Sequence, residues 1–235
     1  MRKQQKIWEL EHQHSTSLPT LASKKPSSFV IKFLRYLRSK SLHFPLKTVD
    51  VGSGKGRNAI YLAKEGYSVY AIGYIQFTLD IIGKEAKRQD CERNIHLYKN
   101  AIDRKWPFRN NFFDLAIDCF SSIDIETRKG RIIYKTELLR TLKPGGYALV
   151  TVVSANDEIE RGLMKKYPGK EKNSVIWPHN GKFQKNYDER ELRDFYKEFQ
   201  ILKLQENKKR AFKLGKNYIA TNYWMILRKP LAELL

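Results

Sequence analysis

The chain has 235 residues, 41% of them hydrophobic, which suits one α/β domain with a real core and a modest extension. Lysine and arginine total 45 against 25 aspartates and glutamates, giving a net charge of +20 at pH 7. No apolar run approaches the ~20 residues that cross a bilayer, and the basic start has no apolar segment behind it, so the sequence predicts neither a membrane helix nor a secretory signal.

The positive charge supports two interpretations. It would attract polyanions, which makes nucleic-acid binding one of them. The other is coding composition, because the excess is mostly lysine, is scattered along the chain and accompanies abundant Ile, Asn and Tyr. The two cysteines, Cys91 and Cys119, indicate no disulfide framework and have no metal-ligand spacing. The sequence therefore predicts a reducing, cytoplasmic setting and no metal site, and it leaves the oligomeric state open.

Residues 1–28 are polar and basic, and they predict a mobile N-terminal tail ahead of one domain over residues 29–235. That domain opens with "SSFVIKFLRYLRSK", where Val30, Phe33, Leu34 and Leu37 share one helical face.

Short apolar segments then alternate with amphipathic ones. The predicted strands are "KTVDVG", "SVYAIGY", "NIHLYKN", "FFDLAIDCFSS" and "YALVTVVS", and the predicted helices are "RNAIYLAKEG", "IQFTLDIIGKEAKRQ" and "TRKGRIIYKTELLRTL". This alternation is typical of a doubly wound, mostly parallel α/β sheet.

The periodicity loosens around residues 155–187, which predicts a lid-like insert. A helix over "DERELRDFYKEF" follows. The chain then predicts two strands, "FQILKLQENKK" and "NYIATNYWMILRK", joined by a long basic connection.

The turn after the first strand, "VDVGSGKG", carries the most specific pattern. A glycine-rich turn between a strand and a helix presents backbone N–H groups to a ligand. The Walker pattern needs Gly-Lys-Ser/Thr, which is absent, and the dinucleotide pattern needs glycine where Arg57 stands. The pattern acidic-x-G-x-G-x-G fits at Asp50, Gly52, Gly54 and Gly56.

Three motifs in order carry a resemblance: "VDVGSGKGRNAIYLAKEGYSVYAIG", "WPFRNNFFDLAIDCFSSID" and "LLRTLKPGGYALVTV". With them the sequence resembles the class I S-adenosylmethionine-dependent methyltransferases from about Ser28 to Lys229. The form "GKGRNAIYLA" is most similar to the small-molecule and tellurite-resistance-type branch. The resemblance implies a Rossmann-like sheet of seven strands, mostly parallel, with an antiparallel last strand.

The resemblance also implies S-adenosylmethionine as cofactor. The glycine loop would wrap its methionine part, Asp50 and the backbone near Asp118 would receive its ammonium group, and residues after the second and third strands would hold ribose and adenine. The implied cofactor-binding residues are Asp50, Gly52, Ser53, Gly54, Gly56, Asn58, Gly73, Tyr74, Ala101, Ile102, Asp103, Asp118 and Cys119.

Two positions depart from the family pattern. The family usually has a carboxylate for the ribose hydroxyls at the end of the second strand, where this chain has Gly73. At the end of the third strand Ala101 stands where Asp is frequent, with Asp103 two residues on. The ribose could be held by Tyr74, Gln76 or water; the pocket could serve structure or another ligand; or it could admit an anionic nucleotide.

Acceptor pockets in such sheets lie at the carboxyl ends of the strands. The candidates there and in the insert are Phe120, Ser122, Asp124, Trp177 and His179. Each has a structural alternative: Trp177 could pack, Asp124 could cap the next helix, and His179 could be a surface loop residue.

The sequence thus predicts an S-adenosylmethionine-dependent methyltransferase acting on a small molecule, with cofactor binding weakened by Gly73. The alternatives are a non-catalytic protein of this fold that binds RNA through its basic surface, and an RNA methyltransferase.

Overall fold

A computed structural model describes residues 3–14, 19–40, 42–213 and 215–231. The helices are α1 Lys3–His14, α2 Ser28–Leu37, α3 Arg57–Lys64, α4 Gln76–Arg88, α5 Arg128–Thr141, α6 Glu158–Lys166 and α7 Glu189–Phe195. The strands are β1 Lys47–Val51, β2 Ser68–Gly73, β3 Ile95–Lys99, β4 Phe113–Cys119, β5 Leu142–Val153, β6 Ser174–Ile176, β7 Phe183–Lys185, β8 Gln200–Lys213 and β9 Lys216–Arg228. None of the described helices is both long and apolar enough to cross a membrane.

Seven strands form one twisted sheet in the order β3-β2-β1-β4-β5-β9-β8. Neighbours from β3 to β5 are parallel, and β9 runs antiparallel to both β5 and β8. The predicted fold class, a doubly wound and mostly parallel seven-stranded sheet with an antiparallel last strand, is confirmed. Its strand order reverses between β1 and β4, the place where such sheets open a ligand crevice.

Both faces of the sheet are covered by helices, so its central strands are apolar on both sides. Residues that alternate along a strand enter different layers: Leu149 packs in the layer of α2, α3 and α4, whereas Val150 packs in the layer of α5 and α7. The apolar face predicted for α2 is buried in the first of these layers.

The N-terminal region differs from the predicted tail, because residues 3–14 form the helix α1. Its inward side is mostly polar, with Gln4, Glu11 and His12 buried beside Ile7. A helix held by polar contacts lacks the apolar stripe by which sequence periodicity finds helices. Residues 3–14 are therefore a packed element of the fold, whereas the predicted tail's residues 1–2 and 15–18 lie outside the described residues.

The predicted insert contains α6 and a small antiparallel sheet of β6 and β7. Its two ends are joined where Ser154 pairs with Tyr187, directly after β5. The loose periodicity reflects short elements stabilised by side-chain hydrogen bonds, such as the Asp157 carboxylate that caps α6. Whether the insert moves as a lid stays a prediction.

The C-terminal pair is longer than the sequence predicts. Part of the segment predicted as a basic connection continues as strand, with Arg210 paired to Ile219 and Ala211 to Tyr218. A run of charged residues on an exposed hairpin is compatible with strand geometry, although its composition is that of a loop.

Candidate functional site

A cavity of about 890 Å³ opens at the carboxyl ends of β1, β2 and β4. Small-molecule sites typically enclose ~300–1,000 Å³, so it has room for a nucleotide-sized ligand with a further small molecule. Its floor is the turn after β1, one wall follows β2 and β3, and another follows β4. Residues of α1 and β7 complete the lining.

The glycine loop has the conformation that glycine alone adopts freely. Gly52, Gly54 and Gly56 have φ of 67°, 53° and 81°. A Cβ on Gly52 would lie 2.4 Å from the Ser121 side chain, and one on Gly56 would lie 2.5 Å from Ile82. Glycine is therefore required at Gly52 and Gly56 for both conformation and space, and at Gly54 for conformation.

Some residues of the glycine loop line the cavity, and another begins the helix behind it. Gly52, Ser53, Gly54 and Asn58 line the cavity. Gly56 does not; it begins α3 as a left-handed cap residue.

Asp50 lies on the cavity floor with an unused acceptor. It is buried, and no described residue hydrogen-bonds its Oδ2. Burial raises the pKa of Asp50 to about 7, an effect that the charge of Arg57 opposes and that of Asp118 adds to. A buried carboxylate oxygen at a cavity wall is suited to an incoming ammonium group, which would supply the missing partner.

Asp118 and Cys119 have different positions at the end of β4. The Asp118 carboxylate accepts hydrogen bonds from the Tyr134 hydroxyl at 2.7 Å and the Ser121 amide at 2.8 Å, and these contacts fix the turn after β4. Asp118 itself does not line the cavity. Cys119 does line the cavity. Burial, with the nearby Asp50 and Asp118 charges, raises the pKa of its thiol to about 12, which keeps it protonated.

The wall after β2 and β3 brings the predicted nucleoside-side residues together. Gly73, Tyr74, Ala101, Ile102 and Asp103 all line the cavity, and β2 ends at Gly73 as predicted. A Cβ on Gly73 would have only ordinary contacts, 3.8 Å to Ser53 Oγ and 3.9 Å to Leu79 Cδ2. The carboxylate that the pattern leads one to expect here is thus absent without any steric reason.

The predicted acceptor residues separate into two groups. Phe120 and Asp124 line the cavity, whereas Ser122, Trp177 and His179 do not. Trp177 is buried, and its ring meets that of His179 edge-on. The helix-cap alternative for Asp124 does not hold, because the side chain of Thr127 caps α5.

Asp124 is paired with a lysine that sequence reasoning missed. Lys182 is buried, and its Nζ lies 3.7 Å from Asp124 Oδ1, an ion pair longer than a hydrogen bond. The same Nζ lies 4.6 Å from the ring centroid of Trp8 and 4.9 Å from that of Trp177. Burial raises the pKa of Asp124 to about 7, opposed by the Lys182 charge.

The helix α1 contributes the other residues that were missed: Gln4, Gln5, Trp8 and His12 all line the cavity. Positions 4, 8 and 12 share one helical face, a spacing that could have been read from the sequence, although an apolar criterion does not select it. Burial and the charge of Lys55 lower the pKa of His12 to about 4, so a neutral imidazole lies against Gly54.

Among the described residues, no three His, Cys, Asp or Glu side chains are grouped so that they could hold a metal ion.

Comparison with known proteins identifies one domain family in this chain. A family model described as "Methyltransferase domain" matches residues 48–146, from β1 to the start of β5. The chain is 27% identical over 163 residues to Hemagglutinin 1 of Eikenella corrodens, covering 69% of this chain and 46% of that protein. It is 22% identical over 174 residues to the probable S-adenosyl-L-methionine-dependent methyltransferase TehB of Haemophilus influenzae, covering 74% and 52%. The chain spans about half the length of these relatives.

Solved structures agree in fold. A SAM-dependent methyltransferase from Methanosarcina mazei superposes with a TM-score of 0.72 at 20% identity, covering 83% of this chain and 97% of that one. The 1,6-didemethyltoxoflavin-N1-methyltransferase of Burkholderia thailandensis, solved with 1,6-didemethyltoxoflavin and S-adenosylhomocysteine, gives 0.68 at 14% identity, covering 96% and 87%.

Proposed function

We propose that this chain, which carries a class I S-adenosylmethionine-dependent methyltransferase domain, transfers the methyl group of that cofactor to a small molecule. One observation carries the choice of acceptor. The cavity is covered by α1 and the insert, which are joined where Gln4 hydrogen-bonds both the amide and the carbonyl of Phe183. A small molecule fits whole within such a cover, whereas an RNA could reach it only with a base turned out of its fold.

The described residues fit the cofactor. Asp50 offers its unpartnered Oδ2 to the ammonium group, and the glycine loop allows backbone to approach the methionine part closely. Ile102 and Asp103 line the cavity after β3, which supports the proposal that they contact the adenine. When bound, S-adenosylmethionine supplies an electrophilic methyl group on its sulfonium. What remains for the protein is to orient the acceptor and, where needed, to remove its proton.

Asp124 is our candidate for the group that removes the acceptor's proton. Its Oδ1 is buried, has no hydrogen-bond partner among the described residues and belongs to the cavity lining. A carboxylate whose pKa is raised to about 7 is suited to general-base work at neutral pH. Lys182 beside it would stabilise negative charge left on the acceptor after proton transfer.

We further propose that the cofactor binds more weakly than in a protein with a carboxylate at the end of β2. A hydrogen bond to a charged group contributes roughly 1.5–3 kcal/mol, and one between neutral groups about 0.5–1.5 kcal/mol. With Gly73 at this position, only the smaller contribution is available to the ribose hydroxyls.

Two measurements test the function. Isothermal titration calorimetry should detect binding of S-adenosylhomocysteine, and no heat at millimolar ligand would refute the enzyme proposal. Methyl-labelled S-adenosylmethionine should then transfer label to the low-molecular-mass fraction of a bacterial extract and not to its RNA.

Asp124→Asn should lower this transfer roughly a hundredfold or more while S-adenosylhomocysteine still binds. The matched control is Asp194→Asn, in the exposed ion pair of α7 with Arg190, which should leave both unchanged.

A further inference from the structure

The space in front of Gly73 is bordered by polar groups from another part of the chain. The Ser53 Oγ, buried and without a hydrogen-bond partner among the described residues, lies 3.8 Å from the position of a Cβ on residue 73. The side chain of Gln5, from α1, lines the same cavity. Its Nε2 donates a hydrogen bond to the backbone carbonyl of Tyr74 at 3.3 Å. The Gln5 amide is therefore held one residue beyond the strand end that lacks a carboxylate.

The neighbouring residue Gln4 fixes this position. The Gln4 Nε2 donates to the carbonyls of Phe183 at 2.9 Å and Asp124 at 3.2 Å, and its Oε1 accepts from the Phe183 amide at 3.1 Å. These contacts dock α1 onto β7 and onto the segment after β4. Near the other end of α1, the Asn180 amide donates to Glu11 at 2.8 Å. The helix is thus tied along its length, and Gln5 is presented to the cavity by a fixed element.

We propose that Gln5 replaces the carboxylate missing at Gly73 and recognises the ribose hydroxyls of the cofactor. A primary amide suits a vicinal diol, since its carbonyl oxygen accepts hydrogen bonds and its NH₂ group donates two. One N–H is used by the Tyr74 carbonyl, which orients the amide and leaves its oxygen and second N–H for the ligand. The inference deepens the proposed function and rests on it.

Recognition of the ribose by Gln5 on α1, in place of a carboxylate on β2, has a structural consequence. A carboxylate on β2 is present whether or not α1 is docked, but Gln5 reaches the nucleoside wall only when the helix lies across the cavity. Ribose recognition and closure of the cavity then become the same event. The recognising group is also neutral, so its loss should cost less affinity than loss of a carboxylate.

Calorimetry on the 235-residue chain tests the inference with two probes, S-adenosylhomocysteine and its 2′-deoxyribose analogue. The unchanged protein should prefer the ribose form. Gln5→Ala should weaken binding of S-adenosylhomocysteine about threefold to tenfold and remove most of that preference. Gln13→Ala, at an exposed position of the same helix, is the matched control and should keep both affinities. The double variant Gln5→Ala with Gly73→Asp should regain the preference, because the new side chain has room beside Ser53 and Leu79.

The outcomes separate this inference from the function on which it rests. If the unchanged protein binds neither probe, the proposed function fails. If it binds both and Gln5→Ala keeps the affinity and the preference, Ser53 or water holds the ribose and the inference is wrong. If Gln5→Ala weakens both probes by one factor, Gln5 only supports α1, and the inference is again wrong.

Discussion

Asp50, the proposed partner of the cofactor's ammonium group, is expected to lower the free energy of unfolding of the ligand-free protein at neutral pH. Its folded-state pKa of about 7 exceeds the ~3.9 of an unfolded aspartate, so the folded protein holds the extra proton between these values. The free energy of unfolding should therefore fall as pH rises from about 4 to 7. Asp50→Asn removes this dependence and should raise the melting temperature of the ligand-free protein at pH 8.

The same substitution should have the opposite effect on binding. An ammonium group needs the carboxylate form, so affinity for S-adenosylhomocysteine should rise with pH up to about 7 and then level off. Asp50→Asn should lower affinity at pH 8 by about tenfold or more and flatten the pH profile. Calorimetry between pH 6 and 8 measures both. A variant that binds as well as the unchanged protein would show that Asp50 does not face the ammonium group.

Single residues were predictable where a local rule fixes them. The glycine loop follows from strand, turn and helix in one short segment, so the sequence alone was enough to place Asp50 and Gly52. The pair of Asp124 with Lys182 could not be predicted, because its members are 58 positions apart and meet only when β7 folds beside the turn after β4. Sequence reasoning therefore selected Trp177 and His179 from the right segment and missed the lysine that reaches the cavity.

At the scale of elements, α1 is docked by hydrogen bonds more than by apolar burial. Gln4 makes three buried or part-buried contacts to backbone, and Ile7 is the buried hydrophobic residue of the helix. Gln4→Ala leaves backbone groups of Phe183 without partners, at roughly 1–3 kcal/mol for each buried group. We expect local opening, seen as faster amide hydrogen exchange in residues 3–14 and 182–185 with the sheet unchanged. Gln13→Ala is the control, and faster exchange throughout the sheet would show that α1 is part of the global core.

The main elements were readable because apolar period and secondary structure agree from β1 to β5. The prediction failed in opposite ways at the two ends of the chain. The helix α1 packs a polar face, which a test for an apolar stripe overlooks. The hairpin of β8 and β9 places charged residues on extended strands, which resembles a loop by composition. The structure of α1 and that of the β8–β9 hairpin both depend on contacts with parts of the chain that are distant in sequence.

The net charge of +20 is spread over the whole molecule, and one short run of it lies on exposed strand. Lys208, Lys209 and Arg210 are consecutive exposed residues of β8, on the part of the hairpin that extends beyond β5. Beside α2, Lys32 and Lys203 approach the Trp224 ring, at 5.7 and 4.7 Å from its centroid. That ring is only 4% exposed, so it offers little face for stacking a base. The surface beside α2 therefore favours charge attraction without base stacking.

We expect RNA to bind this protein only through its charge. Affinity for a single-stranded RNA should fall linearly in a logarithmic plot against salt, because each phosphate contact releases counterions, with a slope of about −0.7 per contact. Replacing Lys208, Lys209 and Arg210 together by glutamate should weaken this binding and reduce the slope, while S-adenosylhomocysteine binds as before. Filter binding over a salt series, with calorimetry as the control, measures both. Tight binding that persists at high salt would show that RNA is recognised by more than its charge, and methyl transfer to the RNA would make RNA the acceptor, because counterion release alone gives neither result.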